Sequence, residues 1–182
     1  MNNEEIAQFR SYLTSQSMKR TPVQIYDALE EAYRQLLETV DQFPETAFTQ
    51  PYREGVWSIA EIVEHVMLFM ASYEQAICML LEQGLQPPDV NDRSENLLRQ
   101  EPVKRLELLR ALQSSLQHLA HTIHQTEPAS HLEVTWKHFE LGALHWREWL
   151  LLARVHLLDH VRQLQTMRLN SVESWKSHLT SD

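Results

Sequence analysis

Glycine is scarce in this chain, with three residues in 182. So few positive-φ positions argue against β hairpins. Neither a GxxxxGK nor a GxGxxG pattern can be assembled, which removes the glycine-rich phosphate loops and the nucleotide-binding folds built on them. Cysteine is scarcer still. Cys78 stands alone in an apolar segment, so it excludes an internal disulfide, points to a reducing compartment and reads as a small core residue. Positive charge is thin: 16 Lys and Arg face 25 Asp and Glu, for a formal net charge of −9. Without a clustered basic stripe, nucleic acid is not an expected partner. Apolar runs are short. No stretch reaches the roughly 18 uncharged apolar residues of a membrane span. The opening Met-Asn-Asn-Glu-Glu5 has no apolar signal region, and the expectation is a soluble cytoplasmic protein with no membrane partner.

What is present is amphipathic helix. Thr21-Pro-Val-Gln24 is a helix start in which Thr21 caps, Pro22 fits the first helical position and Gln24 completes a capping box. Ile25, Leu29, Ala32, Leu36, Val40 and Phe43 then recur at helical spacing until Pro44. Ser58 and Glu61 form a second capping box, with Trp57 placed to staple against Ile62. That helix carries His65, Val66, Phe69, Tyr73, Ala76, Ile77 and Leu80 and stops at Gly84. A long link, residues 85 to 101, suggests a crossover between helices that are not hairpin neighbours. A third helix runs from about Pro102 to Gln125 on a stripe of leucines. His118, His121 and His124 walk around it at three-residue spacing and read as surface residues. Residues 129–142 form a second link, extended in part over Leu132–Trp136. A last helix starts near His145. The predicted fold is all-α, a four-helix bundle in a single domain over 1–182. Its bundle spans about 22–169, with an N-terminal arm at 1–20 and a polar C-terminal tail at 170–182 that is frayed or laid on the surface.

The last helix carries the most chemistry. His156 and His160 are four apart and share a face, about 5–6 Å apart at Cβ. Trp149, Leu152, Gln163 and Met167 lie on the same face, so the pair sits in a largely apolar stripe. Two neutral imidazoles there need partners, and the spacing suits one metal ion; a core-edge histidine beside one bonded to a backbone carbonyl is the alternative.

Three features together resemble the DinB-like superfamily, which also takes in the YfiT-type proteins regarded as metal-dependent hydrolases. They are Trp57-Ser-Ile-Ala-Glu61-Ile-Val-Glu-His65, Leu141-Gly142 ahead of the final helix, and His156-x-x-x-His160-x-x-Gln163 on it. The resemblance covers residues 22 to 169. It implies that His65, His156 and His160 are the three ligands of a divalent metal, typically nickel or zinc, with water or substrate completing the coordination. It also implies a small-molecule substrate, since members include thiol S-transferases and isomerases that use low-molecular-weight thiols. One ligand from the second helix and an i, i+4 pair from the last is how bundles build core metal sites, and an open position suits catalysis. All-nitrogen ligation also fits copper or iron. Glu61, Glu64, Asp159 and Gln163 are candidates to support the ligands. For Glu61 the capping box is the preferred role, Asp159 is expected to face solvent, and Gln163 is the better support.

The function this points to is a metal-dependent thiol S-transferase or hydrolase. The alternatives are a non-catalytic, stress-related bundle that binds a metal or small ligand, and a structural dimer whose metal ties two helices. No nucleophile or dedicated base stands out, so no catalytic residue is assigned. Leu151 and Leu158 stack on a face otherwise carrying Arg147, Arg154 and Arg162. That predicts a homodimer with the last helix or its neighbour in the interface. The other possible cover is the N-terminal arm, through Ile6, Phe9 and Leu13.

Overall fold

The computed structural model describes residues 2–51, 55–89 and 104–179, with side chains as far as Leu169. Six helices and one hairpin follow in order: α1 Asn3–Lys19, α2 Pro22–Val40, α3 Glu45–Phe48, α4 Ile59–Gln83, α5 Arg105–Gln125, β1 Thr135–His138, β2 Gly142–His145 and α6 Trp146–Leu179.

Local chemistry sets the helix ends. Thr21 Oγ1 accepts from the Gln24 N–H while the Gln24 side chain returns to the Thr21 N–H, so the expected capping box forms. Ser58 and Glu61 form the second, and Asn2 with Glu5 a third at the start of α1. Gly84, at φ +66°, closes α4 in the left-handed conformation that glycine adopts without strain. The turn that follows α2 is tied to α5: Arg105 donates to Val40 O at 2.6 Å, which also accepts from the Phe43 N–H, and to Phe43 O at 3.3 Å.

Helices α2, α4, α5 and α6 make the bundle. α2 packs on α5 and α6, and so does α4, which leaves α2 facing α4 and α5 facing α6 across the diagonals. The crossovers therefore fall at the connections that hold α3 and the hairpin. The long link after Gly84, expected to cross over, instead joins α4 to its neighbour α5; residues 90–103 of it lie outside the described residues.

Two expectations change in the packing. The segment before α6 is an antiparallel hairpin pairing Thr135 with His145 and His138 with Gly142. One glycine suffices for it: Gly142 takes φ +75° where the loop rejoins the strand. The His138 ring does the remaining work, with Nδ1 accepting from the N–H groups of Glu140 and Leu141. The hairpin is held on α6, where Trp136 stacks on Trp149 at 5.2 Å and Trp149 Nε1 donates to Leu144 O.

The second change concerns the leucines. α1 packs along α6, and Leu13 is wholly buried with Ile6 and Phe9 against the same core. Thr14 donates to the buried Glu148 carboxylate at 2.7 Å, Arg10 approaches it at 3.6 Å, and Arg147 donates to Arg20 O. Leu151 is buried and Leu158 half-buried against the core. Leu151, one of the two leucines expected at a dimer face, therefore lies inside the fold, while Leu158 keeps part of its surface. After Asn170 the backbone continues as helix to Leu179, where a frayed tail was expected. Among the described residues, no helix is long and apolar enough to cross a membrane.

Candidate metal centre

His65 comes from the second turn of α4, and His156 and His160 from successive turns of α6. The capping box at Ser58 fixes where α4 begins and so where His65 points. The three rings meet, His156 and His160 through their spacing on one helix and His65 from across the bundle. His65 Nε2 lies 3.0 Å from His156 Nε2, and His160 Nε2 lies 3.2 Å from the same atom. All three nitrogens fall within 4.8 Å of one another. Nitrogens bound at about 2.0–2.1 Å stand roughly 3.0 Å apart at a right angle and roughly 3.3 Å apart in a tetrahedron, so the spacing is that of ligands around one ion.

The protons lead to the same conclusion. His160 Nδ1 lies 2.9 Å from Gln163 Oε1, a carbonyl oxygen that only accepts, so Nδ1 carries the proton and Nε2 presents a lone pair. A proton on His156 Nε2 could serve its neighbours only by being shared between them. A divalent cation accepts a lone pair from all three rings at once, and the residues present fit one. Burial, and then the nearness of His160 and His65, push the His156 imidazole down to about 2. Burial also lowers His160, with Gln163 and Asp159 acting in the other direction. Rings kept neutral in this way are in the form that binds metal.

Apolar and aromatic groups shape the surroundings. Phe69 lies flat on the His156 ring, with centroids 3.7 Å apart and planes at 10°. Trp57 packs its ring 5.2 Å from that of His65. His65 is buried, His156 and His160 are half-buried, and His156 lines a cleft. That cleft, of about 420 Å³, runs between α1, α4, α6 and the hairpin loop. Phe9, Phe69, Tyr73, Leu152 and Val155 give it apolar walls, and His138, Glu140 and Asp159 supply polar groups near His156.

The supporting residues sort clearly. Glu61 is used by the cap: its Oε2 accepts from the Ser58 N–H at 2.6 Å and from Ser58 Oγ at 2.7 Å. Asp159 is exposed and paired with Arg162 at 2.7 Å, yet it still borders the cleft. Glu64 is buried beside His65 on α4. Gln163 holds His160 as expected. His121 and His124 are exposed, and His118 is half-exposed but lies against Glu74 and Glu82. Sequence reasoning missed the hairpin's contribution to the cleft. His138 looked like any link histidine, and nothing local marks a residue whose importance comes from a loop folding back over another helix.

A family model described as the DinB superfamily matches residues 28–164. Among solved structures, the chain is similar to TT2238, a four-helix bundle protein, at 23% identity and a TM-score of 0.61, covering 80% of this chain and 99% of that one. It is also similar to YfiT from Bacillus subtilis, described as a probable metal-dependent hydrolase with an unusual four-helix bundle topology. There the identity is 17% and the TM-score 0.63, over 82% of this chain and 87% of YfiT. No curated protein matches. Both structural likenesses are of fold, and the family match spans most of the chain: it belongs to the DinB superfamily.

Proposed function

We propose that this protein is a metal-dependent enzyme acting on a small molecule, either a hydrolase or a transferase of low-molecular-weight thiols. Its divalent ion, nickel or zinc, is held by His65, His156 and His160. The observation that carries the proposal is the convergence of three Nε2 atoms from two helices beside a cleft. When bound, the ion supplies Lewis-acid activation of a water or a thiol. Gln163 keeps His160 in the ligating tautomer. Phe69 fixes the plane of His156 and keeps bulk water off one side of it. The walls from Phe9, Tyr73, Leu152 and Val155 suit an apolar substrate body. Glu140 and Asp159 at the cleft favour a polar or cationic group there and disfavour a second anion. The His138 Nδ1 is occupied as an acceptor, so its Nε2 carries the proton. The description of YfiT supports hydrolysis; thiol transfer rests on the family resemblance. A reducing, cytoplasmic setting fits the one free cysteine. Assembly as a homodimer belongs to the proposal only through a surface that does not include Leu151.

The test is metal analysis of tag-free protein combined with turnover of a panel of esters, amides and thiol–electrophile pairs. His160→Ala is expected to lose one equivalent of metal, and turnover with it. Val155→Trp, which fills the cleft, is expected to keep metal and lose turnover. A metal content in His160→Ala equal to that of the wild type would overturn the ligand set, and full turnover in Val155→Trp would overturn the cleft.

A further inference from the structure

A second group of ligating side chains lies further along α4. Glu74, Cys78 and Glu82 recur every four residues and make one stripe on that helix. His118 and Thr122, also four apart, face the stripe from α5. His118 Nδ1 lies 2.5 Å from Glu74 Oε1, and its Nε2 lies 3.3 Å from Glu82 Oε1. Cys78 Sγ donates to Thr122 Oγ1 at 3.3 Å, and Thr122 in turn donates to Glu82 Oε1 at 2.5 Å. One ligand atom each from Glu74, Cys78 and His118 falls within 4.8 Å of the others. The cluster is rooted in the core and opens outward: Cys78 is 3% exposed, the Glu74 side chain 16% and that of His118 50%.

We infer that Glu74, Cys78 and His118 form a second divalent-cation site suited to zinc or another thiophilic ion, with Glu82 accepting from the ring nitrogen of His118 that faces away from the ion. Sulfur with imidazole selects against magnesium and calcium, and the Glu74 carboxylate supplies a hard oxygen donor that zinc also accepts. Coordination displaces the Cys78 thiol proton and the proton on the ligating His118 nitrogen, both of which pass to solvent. Thr122 stays hydrogen-bonded to Glu82 and orients it. The rival occupant is a proton, with His118 as an imidazolium clamped between two carboxylates. Cys78 is thirteen residues from His65, about 20 Å along the helix, so the two sites load independently. An ion here ties α4 to α5 at the end of α4 away from the three-histidine centre.

The chain's single cysteine makes the site separable by spectroscopy, because any sulfur-to-cobalt charge-transfer band must come from Cys78. The experiment is a cobalt(II) titration of the full, tag-free, reduced chain without oxygen. The wild type is expected to bind two equivalents of cobalt, one of which gives the band. Cys78→Ser should abolish it. Because Cys78 is buried, His118→Ala at the half-exposed position is the second variant, expected to bind at least about tenfold more weakly at this site. His160→Ala should keep the band while losing the bands of the all-nitrogen site, which separates this proposal from the one above. No sulfur-to-cobalt band in the wild type, or one of unchanged affinity in both His118→Ala and Glu74→Gln, overturns the site.

Discussion

His160 Nδ1 sits 2.9 Å from Gln163 Oε1, three residues further along the same helix. The contact fixes a tautomer: it leaves Nε2 of His160 as a lone pair aimed at His156 and His65. Gln163 is itself exposed, so it can be changed without disturbing the core. Gln163→Leu is expected to weaken metal binding by about 10–100-fold, while Gln163→Glu, which keeps an acceptor, retains it. Competition against a chelator of known affinity measures both. Equal affinities for wild type and Gln163→Leu would remove Gln163 from the site.

Acid should destabilise the metal-free protein. Folding holds His156 at about 2, whereas the same imidazole in the unfolded chain takes up a proton near 6.5. Below about pH 6.5 the unfolded state therefore binds a proton that the folded state refuses. Stability is complete above that pH and falls as pH drops, by up to about 1.4 kcal/mol per pH unit for this group. Urea unfolding of metal-free wild type and His156→Gln between about pH 7 and about pH 5 tests it. The variant should show the shallower slope, and parallel slopes would contradict the assignment.

The Ser58–Glu61 pair is a structural device that sits one turn before a ligand. Ser58→Ala is expected to cost about 1 kcal/mol of stability through the lost cap. Glu61→Ala should be comparable. Neither should reduce the number of metal ions bound at saturation. Loss of stoichiometry in a Glu61→Ala protein that remains folded would give Glu61 a direct place beside the metal.

Leu151 is a core residue, 1% exposed. Leu151→Ala should therefore destabilise the fold by about 2–5 kcal/mol, the range for a buried leucine, and leave the molar mass in solution unchanged. Calorimetry and light scattering on the same samples decide it. A stable variant of altered mass would restore this face as a subunit interface.

The sequence alone determined the helices and the pairing of His156 with His160 on one face, because both rest on local rules. The capping boxes at Thr21 and Ser58 and the 3.6-residue period of α2, α4 and α6 act over a few residues and need no partner. The pairing of His156 with His160 is fixed by one helix, and the family resemblance added His65. Tertiary structure decided what depends on residues far apart in the chain. The glycine count argued against a hairpin, but one positive-φ position at Gly142 and one histidine ring bonding two backbone N–H groups were enough. Two leucines between arginines read as an open face, yet Leu151 is buried in the core; and α1 packs along α6, with Thr14 and Arg10 meeting Glu148 across more than a hundred residues. His118 reads as a surface histidine on its own helix. Its carboxylate and thiol neighbours lie on α4, and only the packing of those two helices brings them within reach.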